Sequence, residues 1–75
     1  MARSRRDLHE GEVQRVYDFI CSYIAERKLP PTQREIAEGT YISRSVVIRY
    51  LDILAERGLI VREIGLARGL WLPGD

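Results

Sequence analysis

The chain has 75 residues, of which 45% are hydrophobic and 31% are charged, as expected of one small globular domain. Twelve basic residues against 11 acidic ones give a formal net charge of +1, which neither requires nor excludes a nucleic-acid partner. The single cysteine, Cys21, excludes an internal disulfide and suits a reducing compartment, and no apolar run reaches transmembrane length. We therefore expect a cytoplasmic, nucleoid-associated protein that does not enter the membrane.

The N-terminal residues are polar and rich in arginine, with Arg3, Arg5 and Arg6 in the first nine positions. Two interpretations stay open for this segment. It is either a solvated, disordered tail or an arm that touches phosphates or a minor groove.

A first helix is predicted from about residue 10 to residue 27. Apolar side chains recur there at the spacing of one helical face, namely Val13, Val16, Tyr17, Ile20 and Ile24. Phe19 and Tyr23 lie beside this stripe and widen the apolar arc to about half of the helix. Such an arc is covered either by two elements of the same domain or by a second subunit, and both alternatives stay open.

A second, short helix is predicted over residues 33–38. Thr32 can cap its N-terminus and Glu35 follows three residues later, which is the pattern of a capping box. The two prolines before Thr32 stop the helix from extending backwards, because a proline disfavours helical geometry in the residue before it. Residues 39–40 then break the helical pattern, and Ile42 is expected to anchor the turn in the core.

A third helix is predicted over residues 44–57, with Ser43 as its N-cap and Gly58 in the left-handed position that closes a helix. Its buried stripe is predicted to be apolar and consists of Val47, Tyr50, Leu51 and Leu54. The opposite face repeats at the same spacing and carries Ser45, Ile48, Arg49 and Asp52. A short helix, a tight turn and a longer helix with a mixed exposed face are typical of a helix-turn-helix that reads DNA.

Two short β-prone runs follow, over residues 59–62 and 70–72, and glycines bound the loop between them. They predict a hairpin, or wing, directly after the third helix. Arg62 and Arg68 are expected to carry the charge of the wing, and Trp71 is expected to cover the core because its ring is large.

The predicted fold class is therefore mainly α with a small β-hairpin, a three-helix winged helix-turn-helix. The chain is expected to divide into a basic tail over 1–9, the winged domain over 10–72 and a C-terminal tail over 73–75. His9 is the single histidine, so the sequence offers neither a catalytic triad nor a set of metal ligands. We expect a protein that is not an enzyme and has no metal or cofactor.

The exposed face of the third helix carries the informative chemistry. Arg44 and Arg49 can donate to phosphates or to guanine edges, and Ser45 can donate or accept at a base edge. Val46 and Ile48 either pad neighbouring elements or contact thymine methyl groups, and both alternatives stay open. Acidic residues follow further along the helix, so only its N-terminal half is expected to enter the major groove.

Several stretches together form a recognisable pattern. They are Leu29, Pro30, Pro31 and Thr32 with Arg34, Glu35, Ile36, Ala37 and Glu38; Leu51 through Ala55 with Arg57, Gly58, Leu59 and Ile60; Ala67, Arg68 and Gly69; and Val16, Tyr17, Asp18, Phe19 and Ile20. They resemble the DNA-binding domain of LexA-type repressors over about residues 16–72. The resemblance implies that the third helix reads bases with Arg44, Ser45, Val46, Ile48 and Arg49. It also implies contacts to the DNA backbone from Thr32, Gln33, Arg34, Ser43 and Arg68.

Three features depart from that family. Tyr41 stands where the family usually has glycine, and a left-handed backbone strains tyrosine by roughly a kcal/mol or more, which points to a rearranged turn. The start of the third helix is one residue shorter than in many relatives, between Ser43 and Ser45, so the register of base contacts is open by one position. The self-cleaving serine–lysine domain of the family and its dimerisation unit have no counterpart in this sequence, so we expect no protease activity.

The leading hypothesis is a sequence-specific regulator that binds double-stranded DNA, a repressor, with a homodimer through helix 10–27 or the wing on a two-part site. The alternative is a winged-helix module for protein–protein interaction, which the near-neutral net charge favours. Salt dependence separates the two hypotheses, because counterion release makes DNA binding fall steeply with ionic strength.

Overall fold

The computed structural model describes residues 2–63 and 65–74, with side chains from residue 10 onward in those ranges. The described elements are α1 (Ala2–Arg27), α2 (Gln33–Thr40), α3 (Arg44–Glu56), β1 (Val61–Arg62) and β2 (Leu70–Trp71). The two strands pair antiparallel and form the wing. The predicted fold class, mainly helical with a small hairpin, is confirmed.

α1 begins at Ala2 and not near residue 10 as predicted. Residues 2–9 contain neither proline nor glycine, so no backbone feature ends the helix before residue 10. Gly11 lies inside the helix, where it costs about 1 kcal/mol relative to alanine without breaking the hydrogen-bond ladder. The side chains of the basic segment lie outside the described residues, so a DNA-contacting arm stays a prediction.

α2 begins at the predicted capping box. Thr32 Oγ1 accepts a hydrogen bond from the Glu35 backbone N–H at 3.1 Å, and Glu35 Oε1 accepts one from the Thr32 N–H at 2.8 Å. The helix continues beyond its predicted end at residue 38 through Thr40, whose hydroxyl donates to the Ile36 carbonyl at 2.7 Å. Residues 39–40 therefore extend the helix, because the buried hydroxyl of Thr40 is satisfied within it.

The turn between α2 and α3 keeps left-handed geometry although tyrosine stands in place of glycine, so the expectation of a rearranged turn is wrong. Tyr41 has φ 60° and ψ 33°, and its side chain is 93% exposed, so packing of its ring offsets little of the strain. Arg15 of α1 donates to the Thr40 carbonyl at 2.5 Å and satisfies the C-terminal end of α2. Ile42 is buried, as predicted for the anchor of the turn.

The core lies where the three helices meet. Its buried apolar residues are Val13, Val16, Ile20, Ile36, Ile42, Val47, Tyr50, Leu51, Leu54, Ile60 and Leu70. The predicted stripe of α3 is thus buried in full. The hydroxyl of Tyr50 is satisfied inside this core because it donates to the Glu12 carboxylate, and burial with this contact raises the pKa of Tyr50 to about 12.

The wide apolar arc of α1 is covered in part by the same domain. Phe19 lies over Gly39, where an added Cβ would collide with the aromatic ring, so the two helices approach closely at this point. Tyr23 reaches Glu35 of α2 and donates to its carboxylate at 3.0 Å. These contacts favour the first of the two alternatives for the arc.

The wing corrects one prediction. Trp71 is 44% exposed and does not cover the core. Val61 pairs with Trp71 and Arg62 pairs with Leu70, and successive strand residues point to opposite faces. Leu70 therefore turns inward and is 5% exposed, while Trp71 and Val61 lie on the outer face.

Candidate nucleic-acid interface

The outer face of α3 is set by the burial of its inner stripe. With Val47 and Leu51 fixed in the core, the side chains of Ser45, Ile48 and Arg49 project outward and are exposed. Gly58, with φ 77°, closes the helix as predicted, because its N–H and that of the next residue bond back into the last turn. The outer face of α3 thus carries both polar and apolar side chains.

The two apolar candidates on α3 occupy different environments. Val46 is half-buried and packs against the core, so the structure favours padding for this residue. Ile48 is 36% exposed and lies on the outer face of α3. Ile48 is therefore the one of the pair that has a surface free to meet a partner.

Several hydrogen-bond donors lie at the N-terminus of α3. Ser43 occupies the N-cap position with φ −61° and ψ 150°, but its hydroxyl makes no capping hydrogen bond to the described residues of α3. Arg44 follows as the first helical residue and is exposed. The first N–H groups of a helix lack internal partners and carry partial positive charge, so this end favours an anion.

The start of α2 lies across a cleft from this end. Thr32, Gln33 and Arg34 line the cleft together with Arg44 and the wing loop over residues 65–67. The structure thus brings most of the predicted backbone-contacting residues to the same side as the start of α3. Arg34 pairs with Glu38 at 3.3 Å, but both side chains are largely exposed, so the pair holds Arg34 only weakly.

The arginines of α3 and those of the wing differ in whether they form ion pairs. Within the described part of the chain, Arg44 and Arg49 form no ion pair. Arg62, by contrast, donates to the carboxylate of Asp52 on α3, and its side chain is only 16% exposed. Arg62 thus carries charge on the wing, as expected, but Asp52 offsets that charge within the domain.

Arg68 is also held by contacts within the domain, although its side chain is 41% exposed. Its two terminal nitrogens donate to the two carboxylate oxygens of Glu35 at 3.0 and 3.1 Å, and one of them donates to the Pro30 carbonyl at 2.7 Å. The Arg68 contact, followed by the backbone N–H of Thr32, lowers the pKa of Glu35 to about 2. The same contact raises the pKa of Arg68, so both groups stay charged at neutral pH.

The residues around the cleft suit a nucleic-acid partner better than a metal ion or a membrane. Among the described side chains, no group of three or more His, Cys, Asp or Glu residues could hold a metal ion. No described helix is both long and apolar enough to cross a bilayer. Cys21 is half-buried on α1, away from the residues that line the cleft.

Comparison with known proteins identifies the family. Residues 11–69 match the model of the LexA DNA binding domain. The LexA repressor of Oleidesulfovibrio alaskensis is 37% identical over 70 residues, which cover 93% of this chain and 34% of that protein. LexA repressor 1 of Geobacter sulfurreducens is 42% identical over 62 residues, which cover 81% of this chain and 31% of that protein. The chain thus spans about a third of the length of these relatives, and it belongs to the family of LexA DNA-binding domains.

Proposed function

We propose that this chain binds specific sequences of double-stranded DNA and acts as the DNA-binding domain of a transcriptional repressor. One observation carries the proposal: the N-terminal half of α3 exposes Ser45, Ile48 and Arg49 on a helix whose other face is locked in the core. A helix about 10–12 Å wide fits the major groove of B-DNA, which is about 12 Å wide. Membership in the LexA DNA-binding family supports the same function and does not favour the protein-interaction alternative.

Base reading is assigned to the first two turns of α3. Arg49 can make a bidentate contact with guanine, and Ser45 can donate to or accept from a base edge. Ile48 offers an apolar surface that fits the methyl group of thymine. Arg44 and Val46 flank these residues, with Arg44 near the phosphates and Val46 set back against the core.

Backbone contacts are assigned to the cleft between α2, α3 and the wing. Thr32, Gln33 and Arg34 at the start of α2 face this cleft, and Ser43 begins the next helix. Phosphates bind well at helix N-termini because free N–H groups point at them and the helix dipole favours negative charge. Two helix starts and the wing loop then fix the protein on the duplex while α3 reads the sequence.

Repression and dimer formation belong to the same proposal. The relatives are named LexA repressors, and two copies of this domain on a two-part site would place their α3 helices in successive major grooves. The wing is the favoured contact between copies, since Val61 and Trp71 form an exposed apolar pair on its outer face. The proposal assigns no catalytic step to these residues and places the protein in the cytoplasm, at the nucleoid.

Selection from a randomised duplex pool tests this function directly. At roughly 0.15 M salt, the protein should enrich one motif, and the symmetry and spacing of that motif would report the arrangement of copies. The affinity for the motif should fall with salt at a slope of about −0.9 per neutralised phosphate. Binding that is weak, blind to sequence and insensitive to salt would refute the proposal. An Arg49→Ala variant should weaken binding to the selected motif, and Arg57→Ala is its matched control, because Arg57 caps the C-terminus of α3 and pairs with Glu10.

A further inference from the structure

One carboxylate joins three parts of the molecule. Oε1 of Glu35 accepts hydrogen bonds from the Thr32 N–H at 2.8 Å, the Tyr23 hydroxyl at 3.0 Å and Arg68 at 3.0 Å. Oε2 accepts a second bond from Arg68 at 3.1 Å. Glu35 thus connects α1 and the start of α2 to the wing loop, 33 residues further along the chain.

The wing loop has only slight apolar contact with the core. Leu66 is 61% exposed, and its neighbours Gly65 and Ala67 are exposed as well. Its internal hydrogen bonds run from the Glu63 N–H to the Gly69 carbonyl at 2.6 Å and from the Gly69 N–H to the Leu66 carbonyl at 3.3 Å. These bonds shape the loop but do not attach it to the helices, whereas Arg68 reaches both Glu35 and the Pro30 carbonyl.

We propose that Glu35 is a positioning residue of the DNA-binding surface, which holds the wing loop beside the start of α2 through its bidentate contact with Arg68. In this assignment Arg68 acts on DNA binding through Glu35 and not as an independent phosphate contact. The inference rests on the proposed DNA-binding function.

The chemistry of the pair explains why a carboxylate is tolerated in this position. A free glutamate beside a phosphate-binding cleft would repel the DNA backbone, but the guanidinium of Arg68 neutralises Glu35 in a planar, two-bond geometry. The loop residues that line the cleft, 65–67, directly precede Arg68. Fixing Arg68 therefore fixes the wall of the cleft.

Glu35→Gln is the variant that isolates this role. Glutamine also serves at the third position of a capping box, so α2 keeps its N-terminal cap while the charged, bidentate contact is lost. Glu38→Gln is the matched control, because Glu38 lies one turn on in the same helix and pairs with Arg34. Both variants remove one negative charge from α2, and each releases one arginine, Arg68 or Arg34, so the general gain in attraction to DNA is similar in both.

Two measurements follow on these variants. Relative to E38Q, E35Q should bind the selected duplex about fivefold more weakly, since partly exposed ion pairs have modest strength. In the free protein, the amides of Glu63 and Gly69 should exchange with solvent faster in E35Q than in E38Q. Binding by E35Q as tight as that of E38Q or tighter, or unchanged exchange at both amides, would overturn the proposal.

A double-mutant cycle with Arg68→Ala separates positioning from direct contact. If Arg68 acts through Glu35, R68A should weaken binding about fivefold in the wild type and less than about twofold in the E35Q background. An equal loss in both backgrounds would show that Arg68 contacts DNA on its own and would overturn the proposal. A wild type that enriches no duplex sequence is a separate result, which refutes DNA recognition itself, whereas the amide exchange still reports whether Glu35 holds the wing.

Discussion

The helix-turn-helix and the wing are held in place by different forces. The helices meet around buried apolar side chains such as Leu51 and Leu54, each 1% exposed. The wing has one inward residue in its second strand, Leu70, and is tied to the helices by Arg62–Asp52 and Arg68–Glu35. A fully buried leucine contributes about 1.5–3 kcal/mol, while an exposed ion pair contributes about 0–1 kcal/mol. The frame of the domain therefore depends on burial, whereas the wing combines one buried strand residue, Leu70, with two ion pairs that add a smaller, charge-dependent contribution.

The arginines of α3 and those of the wing also differ in what they bind. Arg44 and Arg49 on α3 have no ion-pair partner among the described residues, while Arg62 and Arg68 in the wing are paired within the domain. An unpaired guanidinium keeps all its donors for DNA, and a paired one has already used part of them. The arginines of α3 thus point to solvent without an ion pair among the described residues, whereas the arginines of the wing bind carboxylates of the helices.

The largest expected effect is a loss of stability when a buried apolar side chain of α3 is removed. Leu51→Ala should lower the free energy of unfolding by about 2–5 kcal/mol, because it removes a side chain that is 1% exposed and leaves a cavity. Urea denaturation followed by circular dichroism measures this change. Ile48→Ala, three residues earlier on the outer face, should change stability by no more than about 0.5 kcal/mol. Equal losses in the two variants would contradict the division of α3 into a core face and a reading face.

The second effect concerns recognition and not stability. Arg49→Ala should leave the unfolding free energy nearly unchanged and weaken discrimination at one base pair by about 1–3 kcal/mol. Binding to the selected duplex and to its single-base variants measures this change. A uniform loss on every sequence would instead assign Arg49 to a phosphate contact.

The features that the sequence predicted correctly are local. The capping box of Thr32 and Glu35 depends on residues three apart, and the buried stripe of α3 depends on helical spacing. In each case the residues that determine the feature lie within a few positions of one another.

The features that were missed depend on contacts between distant residues. The inward turn of Leu70 instead of Trp71 follows from the register of the hairpin, which no spacing within one strand determines. Arg68 meets Glu35 across 33 residues, so a search for nearby charge partners could not find the pair. The direct contacts of Arg44, Ser45, Val46, Ile48 and Arg49 with bases stay predictions, as do the backbone contacts, until a DNA complex is measured.

A third effect tests the strained turn that joins the two helices. Tyr41→Gly should raise the free energy of unfolding by about 0.5–1 kcal/mol, because glycine adopts φ 60° without strain, although its larger freedom in the unfolded chain offsets part of the gain. Thermal and urea unfolding measure the change. Tyr41→Ala keeps the left-handed strain and removes a side chain that is 93% exposed, so its stability should match that of the wild type. If the alanine variant gains as much as the glycine variant, the tyrosine side chain and not the backbone is the source of the effect.

The smallest effect is a pH dependence that belongs to the charged side of the comparison. The pKa of Glu35 is about 2, against an ordinary value of 4.5, because Arg68 and the Thr32 N–H stabilise the carboxylate. A lowered pKa means that the folded state binds fewer protons, so the stabilisation is complete above about pH 4.5 and is lost as the pH falls towards 2. The Glu35 side chain is 34% exposed, so solvent screening limits this contribution to about 1 kcal/mol or less.

Urea unfolding of the wild type and Glu35→Gln at a series of pH values isolates this contribution from that of the other acids. The wild type should be more stable than E35Q at neutral pH, and the difference should shrink below about pH 4.5, because protonated glutamate resembles glutamine in charge and shape. Glu38→Gln is the control for a lost acidic side chain on α2, because its pair with Arg34 is largely exposed on both sides. A difference between the wild type and E35Q that stays constant down to about pH 2 would mean that Glu35 stabilises the wing by shape alone and not by its charge.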